Sequence, residues 1–185
     1  MSVPNISPLA LVNRLIDEAK PVRPPCLVGI GGHGGSGKST LARALATARP
    51  DVQVVPTDSF WNGTVFDLNR LRVEVVDVLL EGREATYDEW NWAEKRPDGQ
   101  RTVTPEGIVV IEGVCALHEM FRHDLDVRIW IDAPPDVRLV RGVARDGEVM
   151  RSTWTDVWMP SEAAYVARDD PVACAHLRLD GTLPY

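Results

Sequence analysis

The sequence predicts a single α/β unit with parallel strand pairing, and three observations carry that expectation. An apolar run, Cys26–Ile30, passes through the glycine turn Gly31-Gly32-His33-Gly34-Gly35-Ser36-Gly37 into a helical pattern that opens at Lys38. Further apolar runs, Val52–Val55, Ile108–Ile111 and Val127–Ile131, alternate with longer segments, as crossovers between buried parallel strands require. The length, 185 residues, suits one domain with an adequate core and is too short for two.

Leu9, Val12, Leu15, Ile16 and Ala19 recur at helical spacing, so a helix over 8–20 packs on the outside. Pro21, Pro24 and Pro25 end it, which makes 1–25 an N-terminal helix and linker. A helix over 38–48 places Leu41, Ala44, Leu45 and Ala48 on one face, and Pro50 closes it. Val52–Val55 is a short strand, with Thr57-Asp58-Ser59-Phe60-Trp61 just past its C-terminal end. In an open parallel sheet, ligands sit at that edge. Leu68, Leu71, Val75, Val78 and Leu79 mark a helix over 67–81 stopped by Gly82. No period persists over 83–105. There, Tyr87-Asp88-Glu89-Trp90-Asn91-Trp92 and Lys95-Arg96-Pro97-Asp98-Gly99 read as a hairpin with an Asp-Gly turn, an excursion from the sheet. Pro135 opens a helix through about Arg145, residues 150–168 hold another interrupted near Pro160, and His176–Leu179 is the last strand.

A net charge of −7 argues against a general nucleic-acid or anionic-membrane surface, since either needs a basic face. Cys26, Cys115 and Cys174 are odd in number, widely spaced and set among apolar residues, which suits reduced core thiols. No long apolar run occurs, so a soluble, cytoplasmic protein is expected.

Gly32, Gly37, Lys38 and Ser39 satisfy G-x-x-x-x-G-K-[ST] between strand and helix, the pattern of a phosphate cradle. Small residues allow the backbone N–H groups of Gly32, His33, Gly34, Gly35, Ser36, Gly37, Lys38, Ser39 and Thr40 to converge on phosphate oxygens. Lys38 would reach the β- and γ-phosphates, and the Ser39 hydroxyl would meet Mg²⁺. Lysine occurs elsewhere only at Lys20 and Lys95, so this one stands out. Without a ligand, the same stretch is a glycine-rich turn. Asp58 can orient an acceptor hydroxyl and take its proton, or begin an Asx turn. Glu112 ends an apolar strand before Gly113; it can hold Mg²⁺ or cap the following turn. Arg138, Arg141 and Arg145 share a helix face, and Gly147 lets the region 142–168 swing as a lid carrying Arg145 and Arg151 toward phosphate. The alternative is an exposed arginine face paired with acids. Trp61, Trp90 and Trp92 form a candidate acceptor wall, or core packing.

With these residues placed, the chain resembles the uridine kinase and phosphoribulokinase branch of P-loop kinases over about 26–181. The resemblance rests on Gly32–Thr40, Thr57-Asp58-Ser59-Phe60-Trp61, Val110-Ile111-Glu112-Gly113, and Asp132 through Arg138-Leu139-Val140-Arg141 to Arg145-Asp146. It implies a three-layer P-loop NTPase sandwich with a mostly parallel sheet of about five strands, a helical lid and a small acceptor-binding excursion. It also implies an ATP-dependent kinase acting on a small-molecule alcohol, nucleoside-like or sugar-like, in a homo-oligomer. By resemblance Lys38 and Ser39 would serve ATP–Mg²⁺, Asp58 would be the base, and Arg145 and Arg151 lid groups; the residues themselves, apart from the resemblance, offer Glu112 as a metal ligand and Trp61, Trp90, Trp92 and Arg141 as acceptor contacts. The acceptor pocket departs from the family: Val65-Phe66-Asp67 follows a shortened Asn62-Gly63-Thr64, and Trp90-Asn91-Trp92 stands where the family carries Tyr-Asp-Phe. A nucleotide-binding module that has lost turnover is the competing expectation.

Overall fold

The structure, a computed structural model, describes residues 6–185; the first five residues of the expected N-terminal segment 1–25 lie outside them. In chain order come α1 (Pro8–Glu18), β1 (Cys26–Gly32), α2 (Lys38–Ala48), β2 (Val52–Pro56), α3 (68–80), β3 (Ala85–Asn91), β4 (Arg96–Val103), β5 (Ile108–Glu112), β6 (Val127–Asp132), α4 (Pro135–Asp146), α5 (151–169) and β7 (Leu177–Asp180). Five strands form one parallel sheet in the order β2-β5-β1-β6-β7, and β3 and β4 pair as a separate antiparallel hairpin.

The central strands β1 and β5 are buried along their whole length, which is why they read as unbroken apolar runs. Alternate side chains go to opposite faces. Val28, Ile30, Val110 and Ile129 meet Val12 and Ile16 of α1 and Leu41 and Leu45 of α2. On the other face, Leu27, Val109, Ile111 and Trp130 meet Leu71, Val75 and Leu79 of α3 and Tyr87 of the hairpin. The result is helix, sheet and helix in three layers. Register then sets the site: Ile30 pairs with Glu112 across β1 and β5, and Pro56 pairs with Glu112 across β2 and β5. The C-terminal ends of three adjacent strands therefore stop level with one another.

Local chemistry explains where elements begin. Ser7 accepts a hydrogen bond from Ala10 N at 3.2 Å, and Pro8 takes the first turn of α1, where its missing N–H costs nothing. Asp67 caps α3 by accepting from Arg70 N at 3.0 Å. Asp67 is therefore a helix cap.

Two sequence expectations are corrected. The hairpin turns at 92–95, not at Asp98-Gly99, because Asn91 Oδ1 accepts from both Ala93 N at 3.0 Å and Glu94 N at 3.1 Å. Asp98 and Gly99 instead lie inside β4, opposite the register shift between Asp88 and Trp90. The last helix is not interrupted at Pro160; it widens into a π-type turn over Trp154–Trp158, which shifts the hydrogen-bond ladder just ahead of the proline. Cys26, Cys115 and Cys174 are all free thiols. No helix among the described residues is long and apolar enough to cross a membrane.

Leu41 is fully buried between α2 and the sheet. Leu41→Ala is expected to lower the unfolding free energy by about 2–5 kcal/mol at an unchanged denaturant slope. Urea titration followed by circular dichroism measures it, and a loss under about 1 kcal/mol would contradict the packing described.

Candidate active site

A cleft of about 1210 Å³ opens at the C-terminal edge of the sheet, lined by the glycine turn, Asp58, Glu112, Arg145, Trp92 and the 183–185 segment among others. It lies where the chain from β1 leaves toward β2 on one side while β6 takes up the other, the switch point at which open parallel sheets bind ligands.

The glycine turn wraps the N-terminus of α2. Gly37, its N-cap, has φ 107°, a conformation that side chains rarely adopt, and a Cβ there would stand 3.0 Å from the Tyr185 hydroxyl. Lys38 is 8% exposed, and its Nζ donates to the His33 carbonyl at 2.9 Å. Burial pulls its pKa down, opposed by Glu112 and Asp58. Those two carboxylates favour the charged amine against its burial at the cradle. His33 has its pKa pushed down to about 4, chiefly by burial and by Arg138, so the ring is neutral at physiological pH. It packs edge-on against Trp130, with ring centroids 5.5 Å apart.

Glu112, nearly buried, accepts from Ser39 Oγ at 2.9 Å. Burial raises its pKa, and Lys38 pulls it back. The adjacent hydroxyl and carboxylate oxygens are hard donors that suit Mg²⁺. Among the described residues no group of three or more His, Cys, Asp or Glu forms a metal cage, so an ion held here would complete its shell with phosphate and water. Gly113 follows at φ 150°, where a Cβ would fall 1.8 Å from Thr57 Oγ1. That close approach fixes the loop carrying the next residue, Asp58.

Asp58 sits in the 3₁₀ turn Thr57–Phe60 directly after β2. Its side chain is open to water in the cleft, although protein crowds it on most sides. Burial pushes its pKa up, while Lys38 and Arg145 oppose the rise. The open face tempers that desolvation, and a ligand that displaced the water would enlarge it.

Arg145 reaches the cleft but forms two hydrogen bonds to Asp146, at 2.7 and 3.0 Å, and its guanidinium lies 5.9 Å over the Trp154 ring. Arg141 borders the cleft with its guanidinium on the carbonyls of Gly181 at 2.9 Å and Gly35 at 3.3 Å. It therefore ties the cradle to the segment after β7. Arg151 is exposed, pairs with Glu148 and does not line the cleft, which corrects its expected place beside phosphate. Trp61, Trp90 and Trp92 do come together: Trp61 and Trp92 stack with centroids 5.7 Å apart, and Trp90 meets Trp92 edge-on at 6.5 Å. Only Trp92 faces the cleft, so Trp61 and Trp90 stand behind it.

Several lining residues carry no motif or spacing that marks them. Glu162 accepts from the Gly34 amide at 3.0 Å, and Trp158 and Tyr185 line the same cleft.

A phosphate cradle before the first crossover helix, an acidic strand end beside it and a carboxylate across the cleft define a P-loop phosphotransferase. Residues 59–158 match the family described as Phosphoribulokinase / Uridine kinase, more than half of the chain. The protein belongs to that family and is an ATP-dependent kinase. It is 26% identical to a uridine kinase of Streptococcus agalactiae over 146 residues, 67% of this chain and 69% of the relative. The figure is also 26% for a uridine kinase of Streptococcus pneumoniae over 145 residues, 67% of this chain and 68% of that one. Among solved structures, a Bacillus stearothermophilus protein described as a possible uridine kinase superposes with TM-score 0.74 at 18% identity, covering 93% of this chain and 97% of its own. A Silicibacter protein provisionally described as a fructose transport system kinase gives TM-score 0.59 at 22% identity, covering 95% and 100%. These two superpositions carry the α/β fold with its five parallel strands.

Because Gly113 packs on Thr57, Gly113→Ala is expected to displace the Asp58 turn. Thermal unfolding should fall by several degrees, and turnover should drop more than the loss of folded protein explains. Unchanged melting and turnover would contradict the close approach.

Proposed function

We propose that the protein transfers the γ-phosphoryl group of ATP to a hydroxyl of a small nucleoside-like molecule, with Asp58 as the general base. One observation carries this reading: the amide cradle, Lys38, the Ser39–Glu112 pair and Asp58 all open onto a single cleft.

The amides of 34–39 and the positive end of α2 would hold the β- and γ-phosphates, and Lys38 would leave the His33 carbonyl to reach them. Ser39 and Glu112 would hold Mg²⁺, which supplies charge neutralisation on the phosphates when bound. Asp58 orients the acceptor hydroxyl and takes its proton as oxygen attacks the γ-phosphorus, and ADP departs. Arg145 adds positive charge beside the transferred group once its hold on Asp146 loosens, with 142–168 acting as the lid. An electron-poor ring laid on Trp92 would fit the acceptor side, and Trp61 stacked behind keeps that indole in place. The nucleoside choice draws on the relatives named uridine kinase. A sugar acceptor is the second reading, favoured by the neighbour described as a fructose transport system kinase and by the changed Trp90-Asn91-Trp92 pocket.

Coupled ADP release with ATP–Mg²⁺ and a panel of nucleosides and sugars tests the proposal. A nucleoside is expected to stimulate turnover above the rate with water alone. ATP binding with no phosphorylated product from any alcohol would instead leave a nucleotide-binding module without turnover. Asp58→Asn is expected to lower kcat by about 10²–10⁴-fold with little change in the KM for ATP. A base with a raised pKa must lose its proton to work. In the wild type, kcat/KM should therefore fall as pH drops, with a midpoint above the ordinary carboxylate range, and Asp58→Asn should lose that limb. A pH profile identical in the two proteins would contradict the assignment.

A further inference from the structure

The cradle already holds a carboxyl group. Gly34 N, an amide of the glycine turn, donates to Glu162 Oε2 at 3.0 Å, and the same oxygen lies 3.5 Å from Arg138 NH1. Glu162 comes from α5, 128 residues away in sequence, so nothing local places it there. Both partners are withdrawn from water, with side chains 7% exposed for Arg138 and 11% for Glu162. The contact is also tight: a Cβ at Gly34 would meet Glu162 Oε1 at 2.7 Å and the Trp154 ring at 2.8 Å. A carboxylate oxygen on a loop amide, backed by a buried guanidinium, repeats the chemistry that a phosphate oxygen would require at the same position.

We infer that Glu162 is a positioning residue that occupies, at the Gly34 amide, the place of a nucleotide phosphate oxygen. ATP must displace it, and its release frees α5 to move as the phosphates arrive. The inference rests on the proposed seating of the triphosphate on the amides of 34–39.

The charge balance supports the exchange. Burial raises the pKa of Glu162, and the Gly34 amide, Lys38 and Arg138 oppose that rise. With Glu162 gone and nothing in its place, Arg138 would be a buried charge whose remaining support is the Ala133 carbonyl at 3.0 Å and the more remote charge of Asp132. A phosphate oxygen arriving as the carboxylate leaves keeps that cation compensated. A phosphate and a carboxylate held together on one amide would instead repel each other at close range. The clasp also bears on the lid. Trp154, six residues before Pro160 on the same helix, packs on Gly34 and donates to Asp146 at 3.0 Å, and Asp146 is the residue that holds Arg145. Movement of α5 therefore loosens the set of contacts that keeps Arg145 turned onto Asp146.

Calorimetric titration of ATP, and separately of inorganic tripolyphosphate, into the wild type, Glu162→Gln and Glu162→Ala tests the inference, with ligand-free melting recorded for each. Removing a competing internal anion is expected to lower the Kd of both ligands by about tenfold, since the cradle no longer spends most of its time closed. The steady-state KM for ATP should fall in step. A merely structural Glu162 would lower the melting temperature and weaken or leave unchanged the binding. Equal or weaker binding by both variants, with wild-type ATP binding intact, overturns the inference alone. If none of the three proteins binds ATP, the reading of the cradle falls, and this inference falls with it.

Discussion

The structure depends on one constraint: the glycine turn between β1 and α2 must wrap a lysine amine that its own His33 carbonyl holds at 2.9 Å, nearly sealed from water. A buried cation of that kind is costly unless anions surround it. Here, Glu112 comes from the end of β5, Asp58 from just beyond β2, and Glu162 from α5, and each acts on Lys38. The parallel sheet makes this convergence cheap, because β1, β2 and β5 are adjacent and end in register. The fold and the site thus share a cause. Strands that bury both faces bring their C-terminal ends together, and the polar residues of the chemistry sit where the apolar runs stop.

The same arrangement assigns different work to similar groups. Asp58 and Glu112 are both carboxylates raised by burial and pulled back by Lys38. Glu112 is nearly enclosed and already engaged with the Ser39 hydroxyl, whereas Asp58 opens onto the cleft with no hydrogen-bond donor of its own among the described contacts. The first is suited to holding a cation in place, and the second to meeting a hydroxyl that enters from solvent. Among the arginines, Arg141 is occupied by two carbonyls of the scaffold, and Arg145 is held by Asp146, a partner it can exchange for phosphate.

Much of this was legible in the sequence because local chemistry carried it. The strand–turn–helix around Lys38 is fixed by glycines and apolar spacing, and α2 runs from Lys38 to Ala48 as its pattern indicates. Asp58 and Glu112 could be singled out because each directly follows or ends an apolar strand. The hairpin turn was misplaced because Asp-Gly is a strong turn signal, whereas the Asn91 side chain, which binds two amides, fixes the turn four residues after β3's midpoint region instead. Pro160 suggested a break that the π-type turn before it absorbs. Arg151 reads as a partner of Arg145 on a lid hinged at Gly147, but Glu148 claims it on the outer surface. Glu162 was not legible at all: its meaning lies in a contact with Gly34 that only the folded chain creates.

The most direct measurement is a crystal structure with a non-hydrolysable ATP analogue and Mg²⁺. The account requires the β- and γ-phosphates on the amides of 34–39, Lys38 Nζ turned from the His33 carbonyl to phosphate, and the Asp58 carboxylate facing the γ-phosphorus across a gap that admits an alcohol. An analogue bound elsewhere, with Lys38 still on His33 and Asp58 turned out of the cleft, would contradict it.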